Sequence, residues 1–422
     1  MSGAGYSALT RSLIVQFLLN YAIFDRMTTV ELSYPHRLYP RLAILAVGLF
    51  IVGTNGFVIA GLLPSIARTL HTQASAVSYS ITYYAIVVAV ASPIVSILLA
   101  RISRTTLMAL GLVLVLLGTV VAAAAPTLVV FTLGRVIAAF GGAALVPPAT
   151  ATAAILATPE RRGRAIAIVG VGFTAAIAFG APIGTAIAGI GGWRVPLFGL
   201  AALAGLTAIA VAVFVRHIPL GDPISARRRF AVLQDPRILL ALIATLLAVS
   251  GFNIVYIFSS SVTSVVTAGS PSLFALLLLI FGVAGIGGNS AAGPLTDRFG
   301  SRRVAIGIFV LLVASLVAIV FASHSLVATA IVFAIWGVSS NAVSLPVQHR
   351  LVQIDPATAG VAISWFSTAL YAGIAIAPPL GALALGLGGS SLVPLFGAAA
   401  AALALVAFLA GFAVRKPALQ LA

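Results

Sequence analysis

The sequence predicts an all-α membrane protein in which twelve transmembrane helices form two pseudo-symmetric six-helix bundles. Three observations support this fold class: the hydropathy of the chain, an internal repeat and the placement of the basic residues. Of the 422 residues, 61% are hydrophobic and 7% are charged, and the mean hydropathy is +1.20. Soluble chains are about 45–50% apolar and about 25% charged. This composition excludes a soluble enzyme and indicates a polytopic membrane protein.

Apolar runs of about 20 residues are long enough to cross the hydrocarbon core of a bilayer as helices. The sequence contains twelve such runs. Their predicted bounds are Leu42–Leu63, Val77–Ala100, Thr105–Ala125, Leu128–Ala149, Ala165–Ile187, Val195–Val215, Ile238–Ser260, Leu273–Leu295, Val304–Ala322, Val327–Val347, Val361–Leu383 and Leu392–Val414.

The basic residues are distributed unevenly between the two ends of these spans. The chain carries 23 Lys and Arg residues against seven Asp and Glu residues. With both termini cytoplasmic, 20 of the basic residues fall in cytoplasmic segments, Arg68 and Arg194 fall outside, and Arg135 falls within the fourth span. Cytoplasmic loops of membrane proteins carry such an excess. The charge therefore predicts orientation in the membrane, with the lipid bilayer as a partner, rather than nucleic-acid binding. The ratio of 22 Arg to one Lys indicates a GC-rich bacterial genome, so we expect the inner membrane of a bacterial cell.

The chain also repeats itself at an offset of 197 residues. Residues 163–189 align without a gap on residues 360–386, and the shared positions include Pro182 with Pro379. Transporters built from duplicated halves hold their substrate near mid-membrane, at the interface between the repeats. The repeat therefore predicts two halves that enclose a central site.

On this basis we divide the chain into five parts. They are a cytoplasmic N-terminal extension 1–40, a first six-helix bundle 41–216, a cytoplasmic linker 217–236, a second six-helix bundle 237–415 and a cytoplasmic tail 416–422. The extension contains an apolar stretch, 12–24, that is too short to span a bilayer. We predict that the extension is disordered or that translation begins at Met27, and an interfacial helix is the alternative.

A dense polar loop separates the eighth and ninth spans. Its distinctive residues are Gly293, Asp297, Arg298, Gly300, Arg302 and Arg303. Charges at the bilayer centre are costly, so this loop must lie at the water boundary. It resembles the signature loop of the major facilitator superfamily of secondary transporters. The first-half copy keeps Arg101 at the position of Arg298, whereas Ala100 stands at the position of Asp297.

The resemblance implies a monomeric transporter without catalytic residues, cofactor or metal, in which this loop acts as a conformational switch. We expect Asp297 to be held by neighbouring arginines or by a helix N-terminus in one transport state, because both favour a carboxylate. The switch would then operate mainly in the second half, where the loop is complete.

The fifth span contains Gly180, Pro182 and Gly184. This segment resembles the antiporter motif of the twelve-helix drug:proton antiporter branch, and 53–64 resembles the sugar-efflux and chloramphenicol-resistance members of that branch. The resemblance implies a hinge in the fifth helix and proton-coupled export of a drug-like molecule, a sugar or a related metabolite. Close packing of a kinked helix is an equal alternative, since glycine allows close approach and proline removes a helix hydrogen bond.

The carboxylates argue against the usual form of proton coupling. That branch usually carries an acidic residue in the first span, where this chain has Gly56, and all seven carboxylates fall in predicted cytoplasmic segments. Proton relays within membranes depend on titratable side chains in the spans. Two alternatives therefore stay open, namely an uncoupled facilitator and a non-transporting receptor or scaffold on the same fold.

Arg135 is the one charged residue predicted within a span, and such residues usually serve function. The alternative is that its side chain reaches the outer membrane surface, as long basic side chains often do. The remaining candidates for substrate binding are uncharged polar or aromatic residues. They are Asn55, Tyr83, Asn253, Tyr256, Asn289, Trp336, Asn341, Trp365 and Tyr371. This set predicts a neutral or cationic substrate that is partly aromatic or polyol-like.

Overall fold

The computed structural model describes residues 35–99, 102–158, 161–216, 218, 230–322, 324–356 and 358–414. Several sequence predictions lie outside these residues. They concern most of the N-terminal extension and of the linker, the loop arginine Arg101 and the C-terminal tail.

The described residues form long helices joined by short turns. The helices are α1 (Pro35–Thr69), α2 (Ala74–Leu98), α3 (Arg104–Ala124), α4 (Leu128–Leu156), α5 (Arg162–Gly191), α6 (Arg194–Phe214), α7 (Pro236–Ile257), α8 (Pro271–Phe299), α9 (Ser301–Ala322), α10 (Leu326–Ile354), α11 (Ala359–Gly388) and α12 (Leu392–Ala413). Short helical turns, Ser259–Val262 and Ser264–Thr267, follow α7.

Among the described residues, eleven helical stretches are long and apolar enough to cross a membrane. One of these stretches, Ala359–Ala413, has 55 residues and contains the last two helices. A tight turn at Gly389–Ser391 divides this stretch, and Gly389 adopts a φ of +73°. Glycine tolerates this left-handed conformation because it lacks a Cβ atom. The described residues therefore contain twelve membrane-length helices, and the predicted fold class is confirmed.

Several helices begin at a hydroxyl side chain that caps the first turn. Ser103, Thr127, Ser270 and Ser325 each accept a hydrogen bond from the backbone N–H three residues later. Such caps satisfy one of the amide groups that the first turn of a helix leaves unpaired. The starts of α3, α4, α8 and α10 are thus encoded locally.

Within each bundle, glycines let pairs of helices approach closely. A Cβ atom added to Gly118 of α3 would lie 2.3 Å from the backbone nitrogen of Ala138 in α4, and one added to Gly134 would lie 2.5 Å from that of Ala122. In the second bundle, a Cβ on Gly251 of α7 would lie 2.7 Å from a backbone oxygen of α12. Small residues at such crossings allow the backbone contact that drives helix association in membranes.

The two faces of the molecule differ. We call the face at which α1 begins the N-face; because the turns are short, the even-numbered helices end there. The bundles touch in the half of the molecule nearer the opposite face, where Gly282 of α8 packs on Ala178 of α5 and Gly189 of α5 approaches Pro271 of α8. Toward the N-face, a cavity lies between the bundles. A second cavity, of about 590 Å³, lies between them at the opposite face, where the ends of α1 and α5 meet the start of α8 and the turns before it.

We expect Gly134→Val to destabilise the first bundle, because the new side chain would collide with the backbone of α3. Overpacking of this kind costs about 1–3 kcal/mol. The measurement is the thermal unfolding temperature of the purified protein in detergent. Gly307→Val in α9 is the matched control, because a Cβ at Gly307 has no neighbour within 4 Å. Equal losses in the two variants would contradict the packing argument.

Candidate functional site

A cavity of about 350 Å³ lies between the bundles in the half of the molecule nearer the N-face. It is formed by α2, α4 and α5 of the first bundle and by α11 of the second. Its size falls within the range of ligand pockets, about 300–1,000 Å³. The lining residues are Val88, Ala89, Ser92, Pro93, Val146, Pro147, Thr150, Ala151, Ala154, Ile166, Gly360, Ile363, Ser364, Ser367, Thr368 and Tyr371.

The two walls of this N-face cavity differ in polarity. The wall from the first bundle is largely apolar, whereas α11 contributes the hydroxyl groups of Ser364, Ser367, Thr368 and Tyr371. Their spacing of three and four residues places them along one side of α11. No lining residue carries a formal charge. The cavity therefore suits an uncharged molecule with one hydrogen-bonding edge and one apolar edge.

A much smaller central void lies deeper in the molecule. Its volume is about 20 Å³, enough for about one water molecule. Its lining includes Gly56, Phe57, Tyr84, Asn253 and Tyr256. Tyr371 lines both the central void and the N-face cavity, so its side chain forms part of the partition between them.

Arg135 of α4 lies beside this region and is only 2% exposed. Its guanidinium donates hydrogen bonds to the backbone oxygen of Asn55 at 2.5 Å and to Oδ1 of the same residue, and it stacks over the ring of Tyr84 at 4.3 Å. Asn55 in turn donates to Thr119 Oγ1 of α3 at 2.7 Å. The side chain thus points into the bundle, and the alternative of a side chain that reaches the membrane surface is wrong.

Several buried polar atoms near the centre have no hydrogen-bond partner among the described residues. They include Nε and one terminal nitrogen of Arg135 and the hydroxyl groups of Tyr84 and Tyr256. Most buried polar atoms are paired, because an unpaired one costs free energy. Both tyrosines line the central void, so hydrogen-bonding capacity is available there to a molecule that enters from the N-face cavity.

An aromatic cluster joins the two bundles on one side of the void. The ring of Tyr256 lies 5.6 Å from that of Phe57 in α1 and 5.4 Å from that of Phe281 in α8, which packs 4.3 Å from Trp336 in α10. Aromatic pairs at such distances stabilise packing beyond the area that they bury. Trp336 is fully enclosed in this cluster and lines neither space.

The other sequence-predicted candidates are scattered. Tyr83 is 49% exposed on the outer side of α2. Trp365 contacts the ring of Phe230 edge-to-face at 5.3 Å near the N-face, and Asn341 donates to the Gly337 carbonyl of its own helix. None of these residues, nor the half-buried Asn289, lines the cavity or the void. The structure instead brings together Asn55, Arg135, Asn253, Tyr256 and Tyr371.

Sequence reasoning missed Tyr84, Thr150 and the α11 hydroxyl groups of Ser364, Ser367 and Thr368. Tyr84 adjoins the chosen Tyr83, and one residue turns a helical side chain by about 100°. The available signal was the hydroxyl spacing on α11.

The segment predicted as a hinge contains a change of helix type. Residues Ala176–Gly180 of α5 form a π-helical turn just before Pro182. A Cβ on Gly180 would lie 2.1 Å from Thr54 Oγ1, so the turn presses closely on α1, and Gly282 of the other bundle packs on Ala178 within it. Such turns kink helices and often occur at functional sites.

The matching proline of the repeat sits at a second contact between the bundles. Pro379 has no N–H, so it cannot bond the carbonyl of Ala375 four residues earlier in α11. Thr82 of α2 donates a hydrogen bond to that carbonyl at 2.8 Å. The paired prolines of the repeat therefore both mark places where one bundle touches the other.

The predicted switch loop follows α8 without forming the expected contact. α8 continues to Phe299, and Gly300 turns the chain into α9 with a φ of +79°. Asp297 is exposed in the last turn of α8 and forms no ion pair among the described residues. The expected bond between Asp297 and an arginine or a helix N-terminus is therefore not formed in this structure.

The sequence matches a family model. The model described as Major Facilitator Superfamily matches residues 45–353 and 242–421. Similar sequences include the "Uncharacterized MFS-type transporter YbcL" of Bacillus subtilis (strain 168), 30% identical over 81% of this chain and 87% of that protein. The inner membrane transport protein YdhP of Escherichia coli (strain K12) is 30% identical over 87% of this chain and 94% of that protein.

Solved structures share the fold. A mutant of the nucleoside transporter NupG superposes with a TM-score of 0.73 at 15% identity and covers 89% of this chain and 100% of its own. A bacterial homolog to the human lysosomal transporter Spinster, in an inward-facing and unoccupied conformation, has a TM-score of 0.69 at 19% identity, covering 92% of this chain and 100% of its own.

We expect Thr82→Val to weaken the contact between the bundles, because it removes the donor to the Ala375 carbonyl while keeping the side-chain shape. A hydrogen bond contributes about 1 kcal/mol, which is about a fivefold change in population. The chain has no cysteine, so Gly56→Cys in the central void provides a single reporter. Labelling of this cysteine from the opposite face should become faster.

Thr207→Val is the matched control, since Thr207 donates only to the Leu203 carbonyl of its own helix. A labelling rate that is unchanged by Thr82→Val, or raised equally by Thr207→Val, would contradict a role for the contact in closing this side.

Proposed function

Because the chain belongs to the Major Facilitator Superfamily, we propose that it is a secondary active transporter that exports a small uncharged molecule across the cytoplasmic membrane by alternating access. The chain is a multi-pass membrane protein, and its family and relatives are transporters rather than enzymes. The proposal adds the direction of transport, the class of substrate and the question of coupling to protons.

One observation carries the proposal. The N-face cavity adjoins the central void through Tyr371, whereas a cavity of about 590 Å³ at the opposite face shares no lining residue with that void. Contacts between the bundles, Thr82 with Ala375 and Gly282 with Ala178, also lie in the half nearer the opposite face. Alternating access requires a site that is open to one side and closed to the other, with two bundles that rock around it. The Thr82–Ala375 hydrogen bond and the Gly282–Ala178 contact are then the closed side of this state.

The charges support a cytoplasmic N-face. Among the described residues, Arg41, Arg104, Arg237 and Arg350 lie at or near N-face helix ends, whereas Arg68 and Arg194 lie toward the opposite one. Such an excess marks the cytoplasmic side of a membrane protein. In this proposal, the N-face cavity opens toward the cytoplasm, both termini are cytoplasmic, and the substrate enters from the cytoplasm.

The exposed Asp297 fits this state. If its carboxylate pairs with a basic group only when the N-face closes, that ion pair stabilises the outward-facing state and is absent here. The π-helical turn in α5 and the Pro379 site in α11 are then the places where the two bundles pivot against each other.

The substrate class follows from the cavity walls. Thr150 and Ser367 donate to carbonyl groups of their own helices, at 3.1 Å and 3.4 Å, and so keep lone pairs that accept hydrogen bonds from a ligand. The facing wall of Val88, Val146 and Ala151 suits an apolar surface. A glycoside with an apolar ring has both features, in keeping with the resemblance to sugar-efflux and drug-exporting members of the family.

A second candidate is an uncoupled facilitator. The drug:proton antiporter resemblance favours proton exchange, but the carboxylates Asp235, Asp297 and Asp355 of the described residues all lie at N-face ends. Arg135 is bonded to an amide and a carbonyl and has no carboxylate partner among the described residues. A guanidinium does not titrate in the physiological range, so this site offers no proton to exchange.

We expect the double substitution Ser364→Ala with Thr368→Val to impair recognition, because it removes two hydroxyl groups from the polar wall of the cavity. The assay is accumulation of para-nitrophenyl β-glucoside in inside-out vesicles. Two lost hydrogen bonds at about 1 kcal/mol each should raise KM at least about tenfold. The Thr207→Val control should transport normally.

The charged analogue para-nitrophenyl β-glucuronide should be transported poorly, because its carboxylate would lose water without gaining a partner. Equal transport of the two probes would contradict the uncharged-substrate assignment. Transport of neither probe by the wild-type protein would contradict the glycoside class.

For Arg135, we expect Arg135→Ala to abolish flux and Arg135→Lys to retain part of it, since lysine keeps the charge but cannot hold the flat stack on Tyr84. In the facilitator model, flux depends only weakly on the pH gradient. A protonophore that abolishes uphill export would instead establish proton coupling and refute the argument from the carboxylates. Arg194→Ala, at the opposite face, is the control.

A further inference from the structure

Two arginines of the second bundle converge on one aromatic ring at the N-face. The guanidinium of Arg350 in α10 lies 4.1 Å from the ring centre of Phe412 in α12, and that of Arg302 in α9 lies 5.6 Å from the same centre. The two charges thus lie within about 10 Å of each other, comparable with the screening length in physiological salt.

Among the described residues, no carboxylate forms an ion pair with either arginine, although the charge of Asp235 acts on Arg350 from a distance. The ion pair recorded among the described residues joins Asp235 to Arg237, at 2.6 Å. This hydrogen-bonded pairing holds the pKa of Asp235 below its usual value, so the carboxylate stays engaged with Arg237. Asp355 accepts a hydrogen bond from Thr358 at 2.7 Å. Arg350 makes one long hydrogen bond, 3.4 Å, to the Gly411 carbonyl.

The ring of Phe412, which both guanidinium groups approach, is fixed by packing against other aromatic rings. Phe412 packs 5.4 Å from Phe408, which packs 5.8 Å from Phe309 of α9. The guanidinium groups therefore have a fixed platform, and stacking on it leaves their N–H edges able to donate. Two such edges match the oxygen atoms of a phosphate group.

The matched position in the first bundle is built differently. At the repeat offset, Arg302 corresponds to Thr105 and Phe412 corresponds to Val215. There Thr105 donates a hydrogen bond to the Val215 carbonyl at 2.5 Å, so the end of α6 is tied to the start of α3 by a neutral contact. The positive platform is a feature of the second bundle that the architecture of the repeat does not require.

Its position in the membrane indicates the source of the phosphate. Arg302 lies in the first turn of α9 and Phe412 in the last turn of α12, where the chain leaves the apolar layer. Below them, α9 and α12 expose large apolar residues, among them Val310, Leu403 and Val406. Lipid headgroups and acyl chains meet at this level, and basic sites between helices bind anionic headgroups.

We propose that Arg302, Arg350 and Phe412 form a binding site for the phosphate headgroup of an anionic phospholipid in the N-face leaflet. The lipid's acyl chains lie along the exposed surface of α9 and α12. The site is distinct from the cavity between the bundles, and it holds whether or not the transport proposal is correct.

The test measures binding of short-chain phosphatidylglycerol to the purified protein in a neutral detergent, by native mass spectrometry and by the shift in unfolding temperature. Short-chain phosphatidylcholine, which has a phosphate but no net charge, should bind at least about tenfold more weakly, since each basic residue contributes about 1 kcal/mol toward an anionic headgroup. Inorganic phosphate should give no shift at the same concentration.

Arg302→Gln combined with Arg350→Gln should reduce affinity for phosphatidylglycerol about tenfold or more. Arg194→Gln is the matched control, because Arg194 also stacks on an aromatic ring, that of Trp193 at 4.5 Å, but toward the opposite face. The combination of Arg302→Lys with Arg350→Lys keeps both charges and should retain most of the binding, which separates loss of charge from misfolding.

Three results would overturn the proposal: equal binding of the two lipids, undiminished binding in the double glutamine variant, or an equal loss in Arg194→Gln. A response to inorganic phosphate as strong as that to the lipid would assign the site to free phosphate instead.

Discussion

A bilayer offers no hydrogen-bond partner to a backbone amide or carbonyl, so the protein itself must satisfy each of these groups within the membrane. Helices do so almost completely, and proline is the exception. Pro379 leaves the Ala375 carbonyl without its helical donor, and Thr82 of the other bundle supplies one. The constraint that makes every segment a helix therefore also helps to tie the two bundles together at this point.

The same scarcity of polar partners governs the centre of the protein. Arg135 is held by Asn55 and by the face of Tyr84, and no carboxylate of the described residues pairs with it. Tyr84 also lines the central void, and Tyr371 separates that void from the N-face cavity. The positive charge is thereby kept one residue away from the space open to a ligand. This layering explains how an uncharged cavity and a buried arginine occupy adjacent levels of one site.

The local sequence predicts much of this architecture. Runs of apolar residues predict the twelve helices, because the membrane thickness sets their length. The paired Pro182 and Pro379 reveal the duplication, and each lies four residues after a residue, Ala178 or Ala375, that contacts the other bundle. Arg135 stands out because a charge within an apolar span needs a protein environment. Residue type alone also singles out Asn253, Tyr256 and Tyr371, and all three line the central void.

What the sequence by itself determined is therefore the number of helices, the duplication and the short list of polar residues. Only the tertiary structure decided which of those residues face one another. These helices are apolar on every side, so hydropathy does not distinguish a lipid-facing side chain such as Tyr83 from an inward-facing neighbour such as Tyr84. Helix packing decides whether a side chain faces the lipid or the interior. The Thr82–Ala375 bond depends on it most, since it joins residues 293 positions apart.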